Sequence, residues 1–159
     1  MIHLRRLASA AVLILAVLGG PPAAAQNVDL DPSYGTTELA TGFRPNPFTL
    51  PLRSGGSIDA QQINPGCKGF IASAPDVRIS FTSGALPLII SVTSAADTTL
   101  IVHAPDGGWY CDDNGAQNER DPVLRFNHPQ SGQYDIWIGS LASRSLQEAE
   151  LDVSEVRAP

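Results

Sequence analysis

Positive charge is scarce in this sequence. Ten Lys and Arg stand against 16 Asp and Glu in 159 residues, and two of the ten, Arg5 and Arg6, fall in the opening segment. Beyond that segment eight basic residues face 16 acidic ones, a balance of −8. Nucleic acids and anionic membrane surfaces both reward positive charge, so neither is an expected partner, while a cation is a compatible one. Aromatic residues are also few, at 6%, and apolar residues at helical spacing are nearly missing. There are only two cysteines, Cys67 and Cys111, with neither a CxxC pair nor a nearby histidine to make a structural zinc site. The Gly-x-Ser-x-Gly nucleophile elbow does not occur, which leaves His103 and His128 as two ordinary histidines without a hydrolase motif. Acidic residues are plentiful, yet no pair is singled out for glycosidase chemistry.

Apolar runs long enough to span a bilayer are absent too. A spanning helix takes about 20 apolar residues, and the longest run, Leu7 to Leu18, has 12. It reads as an export signal instead. Arg5 and Arg6 precede it, Gly19-Gly20-Pro21-Pro22 break any helix after it, and Ala23-Ala24-Ala25 gives a small-x-small cleavage pattern. The expected cut falls between Ala25 and Gln26, with no cysteine behind it to carry a lipid. The expectation is a periplasmic or extracellular protein without a membrane span once residues 1–25 are removed. In such an oxidising compartment Cys67 and Cys111 are expected to pair. Closing that loop stabilises by roughly 3–4 kcal/mol on the chain-entropy account.

Glycine and proline are what the remainder has in quantity, and short alternating runs recur between them. That pattern predicts an all-β fold, an antiparallel β-sandwich of jelly-roll type in a single domain. Residues 26–33 read as an exposed lead-in and 34–157 as the domain. Val77, Ile79 and Phe81 alternate with Arg78 and Ser80, a half-buried strand. Leu88, Ile89, Ile90 and Val92 give a more deeply buried one. Leu100 and Val102 share a face before Pro105-Asp106-Gly107-Gly108, a tight hairpin turn that returns through Trp109-Tyr110-Cys111. Residues 112–121 read as a polar loop. Tyr134, Ile136 and Ile138 alternate with Asp135 and Trp137, and Leu151, Val153 and Val156 close the sheet with acids between. Gly42 to Pro47 holds two prolines and is barred from a central strand.

These runs, Asp97-Thr98-Thr99-Leu100-Ile101-Val102, Pro105 to Asp113 and Ser131-Gly132-Gln133-Tyr134, resemble bacterial pre-peptidase C-terminal domains. Gly66-Cys67-Lys68-Gly69-Phe70-Ile71 and Tyr34-Gly35 are similar to a stand-alone, exported subgroup of such domains. The resemblance implies a β-sandwich module that accompanies other proteins rather than catalysing, in some cases stabilised by calcium.

The strongest metal candidate is the acidic loop Asp112-Asp113-Asn114, with Asp97 assisting. Ca²⁺ takes six to eight oxygens, and these side chains lie close in sequence, although without EF-hand spacing. Asx-rich solvated turns use the same residues. Trp137 is expected to point away from the core beside Trp109, a surface able to stack on a sugar or meet a protein. The leading expectation is a non-catalytic accessory or binding module with Ca²⁺ as its candidate ion and an unknown protein or glycan partner. The alternatives are a secreted hydrolase or peptidase-associated protein, and a carbohydrate-binding module.

Overall fold

A computed structural model gives the fold over residues 26–115, 120–142 and 144–158. The expected signal segment, residues 1–25, lies outside the described residues. The strands are β1 (Thr36–Ala40), β2 (Phe48–Ser54), β3 (Ile58–Asp59), β4 (Phe70–Ile71), β5 (Val77–Thr82), β6 (Leu88–Ser94), β7 (Thr98–His103), β8 (Trp109–Asp112), β9 (Val123–Phe126), β10 (Gly132–Ser140) and β11 (Gln147–Ser154). A 3-10 turn, Ala60–Gln62, follows β3. Among the described residues no helix is long and apolar enough to cross a membrane.

Two sheets face each other, as the alternating runs require. One is ordered β2-β11-β6-β9 and is antiparallel throughout. The other is built around β10, which pairs with β7 along one edge and with β5 and then β4 along the other. Beyond β5 lies β1, and here the pairing is parallel, Thr36 opposite Arg78, a departure from a purely antiparallel expectation. Pro51 sits in β2, an edge strand, where a missing N–H costs no ladder bond to a further neighbour.

The core between the sheets holds Val77, Ile79 and Phe81 of β5, Leu88, Ile90 and Val92 of β6, and Leu100 and Val102 of β7. Tyr134, Ile136 and Ile138 of β10 and Leu151 and Val153 of β11 complete it. These are the predicted inward residues, as period-2 strands demand. Two acids at the end of this run, Asp152 of β11 and Glu155 just after it, are buried rather than solvated. Asp152 accepts from Thr49 Oγ1 at 2.6 Å, and Glu155 accepts from Thr41 Oγ1 at 2.6 Å and from the Gly42 N–H. Val156 is not a core residue; it is 72% exposed.

A second, smaller core lies on the outer face of the β10 sheet. The excursion through β3, the 3-10 turn and β4 lays Ile58, Ala60, Cys67 and Ile71 over Ile101 and Trp137. The Cys67–Cys111 disulfide, with Cα atoms 5.6 Å apart, fastens that excursion to β8. Residues 26–34 are strapped down rather than free. Val28 packs against the second core, Asn27 donates to the Ser73 carbonyl, and Arg78 donates to the carbonyls of Val28 and Leu30. Arg78 also meets Asp135 at 2.6 Å, and Gln133 Nε2 donates to the second carboxylate oxygen.

Between β5 and β4 the edge of β10 is completed by a side chain. Pro75 precedes Asp76, and the Asp76 carboxylate accepts the Ile138 N–H at 2.7 Å where a backbone carbonyl would otherwise stand. Burial pushes this carboxyl up to about 7, with the Ile138 N–H pulling the other way. A raised folded-state value means that the protonated form favours folding. Its contribution is complete below the ordinary carboxyl range and is lost as pH rises through about 7. Asp76→Asn keeps an acceptor for Ile138 and removes the charge. It is expected to flatten the fall in stability between pH 4 and 8 and to be more stable than wild type at pH 8 by about 2–4 kcal/mol. Denaturant unfolding at several pH values measures this. Replacing both Cys67 and Cys111 by Ser is expected to cost about 3–4 kcal/mol and lower Tm by roughly 10 °C, while leaving the main core intact.

Candidate functional site

The acidic loop folds on itself. Asp112 ends β8, and its Oδ2 accepts the Gly115 N–H at 2.7 Å and the Val123 N–H at 2.8 Å. The loop turns so tightly that a Cβ at Gly115 would lie 2.4 Å from that same oxygen. Asp113 Oδ2 accepts from Lys68 Nζ at 2.8 Å and from Asn114 Nδ2 at 3.0 Å. The hydrogen bond to Asp113, and next that carboxylate's charge, raise the Lys68 ammonium above its ordinary value, and Asp112 and Asp97 add to the effect. Lys68 is the only lysine in the chain, and the disulfide at Cys67 carries it to this loop.

These residues do not fit Ca²⁺. Two backbone N–H groups occupy one oxygen of Asp112, an ammonium and an amide occupy one oxygen of Asp113, and Asp97 contributes its field from further off. Among the described residues no three His, Cys, Asp or Glu side chains group to hold a metal ion. The loop has the form of an Asx-turn network with a cation supplied from within the chain.

The expected outward surface at Trp137 is not a surface. Trp137 is 0% exposed. Alternation does put Trp137 on the side of β10 away from the main core, but that side is roofed by the disulfide-tied excursion. Trp137 donates Nε1–H to the Ser73 carbonyl at 3.4 Å. Trp109 is half-buried between its neighbours, its ring centroid 5.2 Å from that of Trp137 and 4.7 Å from His103. Trp137 has no free face for sugar stacking, and the carbohydrate reading loses the residue it rested on.

Concavity lies instead at the hairpin end of the sandwich. In β8, Trp109 and Cys111 face the second core, so Tyr110 faces the other way. β9 belongs to the opposite sheet and turns Phe126 toward it. The two rings meet edge to face at 5.2 Å, and Phe126 meets Tyr134 in the same manner at 5.4 Å. Together they wall a hollow of about 240 Å³ whose rim includes Asp106, His128, Pro129 and Gln130. The Pro105–Gly108 turn places Asp106 there. Gly107 takes φ +79°, the left-handed value such a turn requires. Asp106 Oδ1 accepts the Gly108 N–H at 2.8 Å and Oδ2 accepts the Tyr110 hydroxyl at 2.6 Å. The Tyr110 hydroxyl, and then the Gly108 N–H, hold the Asp106 carboxyl below its ordinary value. Across the Pro105 ridge lies a second hollow of about 410 Å³, with Val28, His103, Ser131 and Gln133 among its walls.

In the sequence Asp106 and Phe126 read only as turn and strand formers, and Tyr110 as one of the few large aromatics. The available signal was the hairpin itself. A four-residue separation across a tight turn brings Asp106 and Tyr110 together, and alternation puts Tyr110 opposite Trp109. The contribution of β9 needed the sheet packing. The hydroxyl of Ser131, beside His103, is engaged with Ser83: it accepts the Ser83 N–H and shares a bond with Ser83 Oγ, both at 2.9 Å.

No family model matches the chain, and no curated protein matches it either. Among solved structures it is similar to PliG of Aeromonas hydrophila, a periplasmic lysozyme inhibitor of g-type lysozyme. The identity is 17% and the TM-score 0.35, over 75% of this chain and 96% of that one.

Because Lys68 already serves the acidic loop, excess Ca²⁺ against EDTA is expected to move Tm of the oxidised protein by less than about 1 °C. A site loaded at 100 times Kd would add roughly 2.7 kcal/mol and several degrees. A Ca²⁺-specific rise lost in the Asp112→Ala, Asp113→Ala double variant would restore the metal reading.

Proposed function

We propose that the chain is an exported, non-catalytic binding module that meets a protein partner at the hairpin end of its sandwich. One observation carries the reading: Tyr110 of β8 and Phe126 of β9, one from each sheet, wall a hollow with a polar rim. Tyr110 stays 37% exposed, the only ring of that cluster with a large open area. Large exposed aromatics beside fixed polar groups are characteristic of binding surfaces. The resemblance to pre-peptidase C-terminal domains supports the same accessory role, and a disulfide suits an oxidising compartment.

A benzophenone photo-crosslinker placed at position 110 tests the reading in cells that export the protein. The expected result is one discrete protein adduct, competed by unlabelled wild-type protein and missing when the probe stands at Glu150, exposed on β11. Equal labelling from both positions would defeat it. So would turnover of casein or a generic ester by purified protein that a serine-directed inhibitor abolishes.

A further inference from the structure

The chain treats two of its turn aspartates differently. Asp113 is met by an ammonium, Lys68, at 2.8 Å. Asp106 is met by an O–H and an N–H. Such donors stabilise a carboxylate without cancelling its charge. Each oxygen of a carboxylate can accept about two bonds, and each oxygen of Asp106 has one such bond from within the turn. The remaining capacity lies at the rim of the aromatic hollow.

The walls complement a cation in a second, independent way. Tyr110 and Phe126 carry negative ring faces, which attract ammonium and guanidinium groups within about 6 Å. The size of the hollow, about 240 Å³, falls below the roughly 300–1,000 Å³ of sites for drug-sized ligands. It suits one side chain. The second hollow, on the far side of Pro105, offers Val28, His103, Ser131 and Gln133 to whatever continues from that side chain. A partner chain can use both hollows, whereas a free amine fills only the first. The protein's net negative charge steers a basic partner toward it.

We propose that the Asp106–Tyr110–Phe126 hollow receives a single lysine side chain of a protein partner, with the ammonium on Asp106 and the stem against the two rings. The proposal rests on the reading of this end of the sandwich as the binding face.

NMR titration of the full oxidised mature protein with the peptide acetyl-Gly-Lys-Gly-amide tests it. Saturable shifts are expected at Tyr110, Phe126 and His128, with none of them from the same peptide acetylated on the lysine Nζ. Asp106→Asn keeps an acceptor for Gly108 and is expected to weaken binding about tenfold, the loss of a charge-assisted contact. Tyr110→Leu removes an exposed ring and is expected to weaken binding several-fold, which keeps the test alive should the Asn variant lower Tm. Equal binding of the acetylated peptide, or unchanged affinity in both variants, would overturn the proposal. Methylammonium binding as tightly as the peptide would assign the hollow to a free amine and overturn the protein source. If the peptide fails while the position-110 cross-link to a partner persists, the lysine inference falls and the binding module stands.

Discussion

Strand β10 is buried on both faces, and the rest of the molecule is arranged to satisfy that. From Tyr134 to Ser140 no side chain of this strand reaches solvent. Tyr134, Ile136 and Ile138 are covered by the opposing sheet, the ordinary arrangement of a sandwich. Asp135 and Trp137, on the reverse face, would leave an indole and a carboxylate on a bare sheet. The chain covers them with two segments, one of which carries the short strands β3 and β4 that extend the same sheet. The excursion through β3 and β4 brings Ile58, Ala60 and Ile71 over Trp137, and the lead-in brings Val28. Each cover is short and has little core of its own. Each is therefore fastened by something stronger than apolar contact: the disulfide for the first, and Arg78 for the second.

The Arg78–Asp135 pair shows how tightly the fastening is drawn. Asp135 is fully buried, and its two oxygens are taken by Arg78 and Gln133. Arg78 Nη2 donates to two lead-in carbonyls as well. A buried pair with its lone pairs satisfied is tolerable, whereas losing one partner strands the other charge. The lead-in is thus part of the electrostatic balance of the sheet, not a tail that precedes it. Covering this face also takes the reverse side of β10 out of solvent. A concave, partly aromatic surface stands open at the hairpin end, where β8 and β9 come together from different sheets.

Most of the strand framework was legible from period-2 alternation, because side-chain direction in a strand follows from the backbone alone. Alternation says which residues share a face. It does not say whether that face meets water. Trp137 was placed on the correct side of β10, yet its cover comes from residues 58–71, remote in sequence and weakly patterned. The parallel pairing of β1 with β5 was hidden for a similar reason, since register between distant segments leaves no mark in a single strand. The disulfide was readable from compartment and parity. The acidic loop was readable as a set of carboxylates, but its cation, Lys68, stands 45 residues from Asp113 and lies next to the Cys67–Cys111 bond that ties its segment to β8.

The position of Lys68 separates two aspartate-bearing turns which look alike in sequence. Pro105-Asp106-Gly107-Gly108 and Asp112-Asp113-Asn114-Gly115 both fold around carboxylates that accept backbone N–H groups. The disulfide draws the chain's one lysine to the second turn, so its negative charge is answered from within. No such tether reaches the first turn, and the hydrogen bonds at Asp106 come from dipoles. A carboxylate held by dipoles keeps its field, while one held by an ammonium loses most of it at a distance. The field of Asp106 is therefore left standing at the hairpin end, beside the rings of Tyr110 and Phe126.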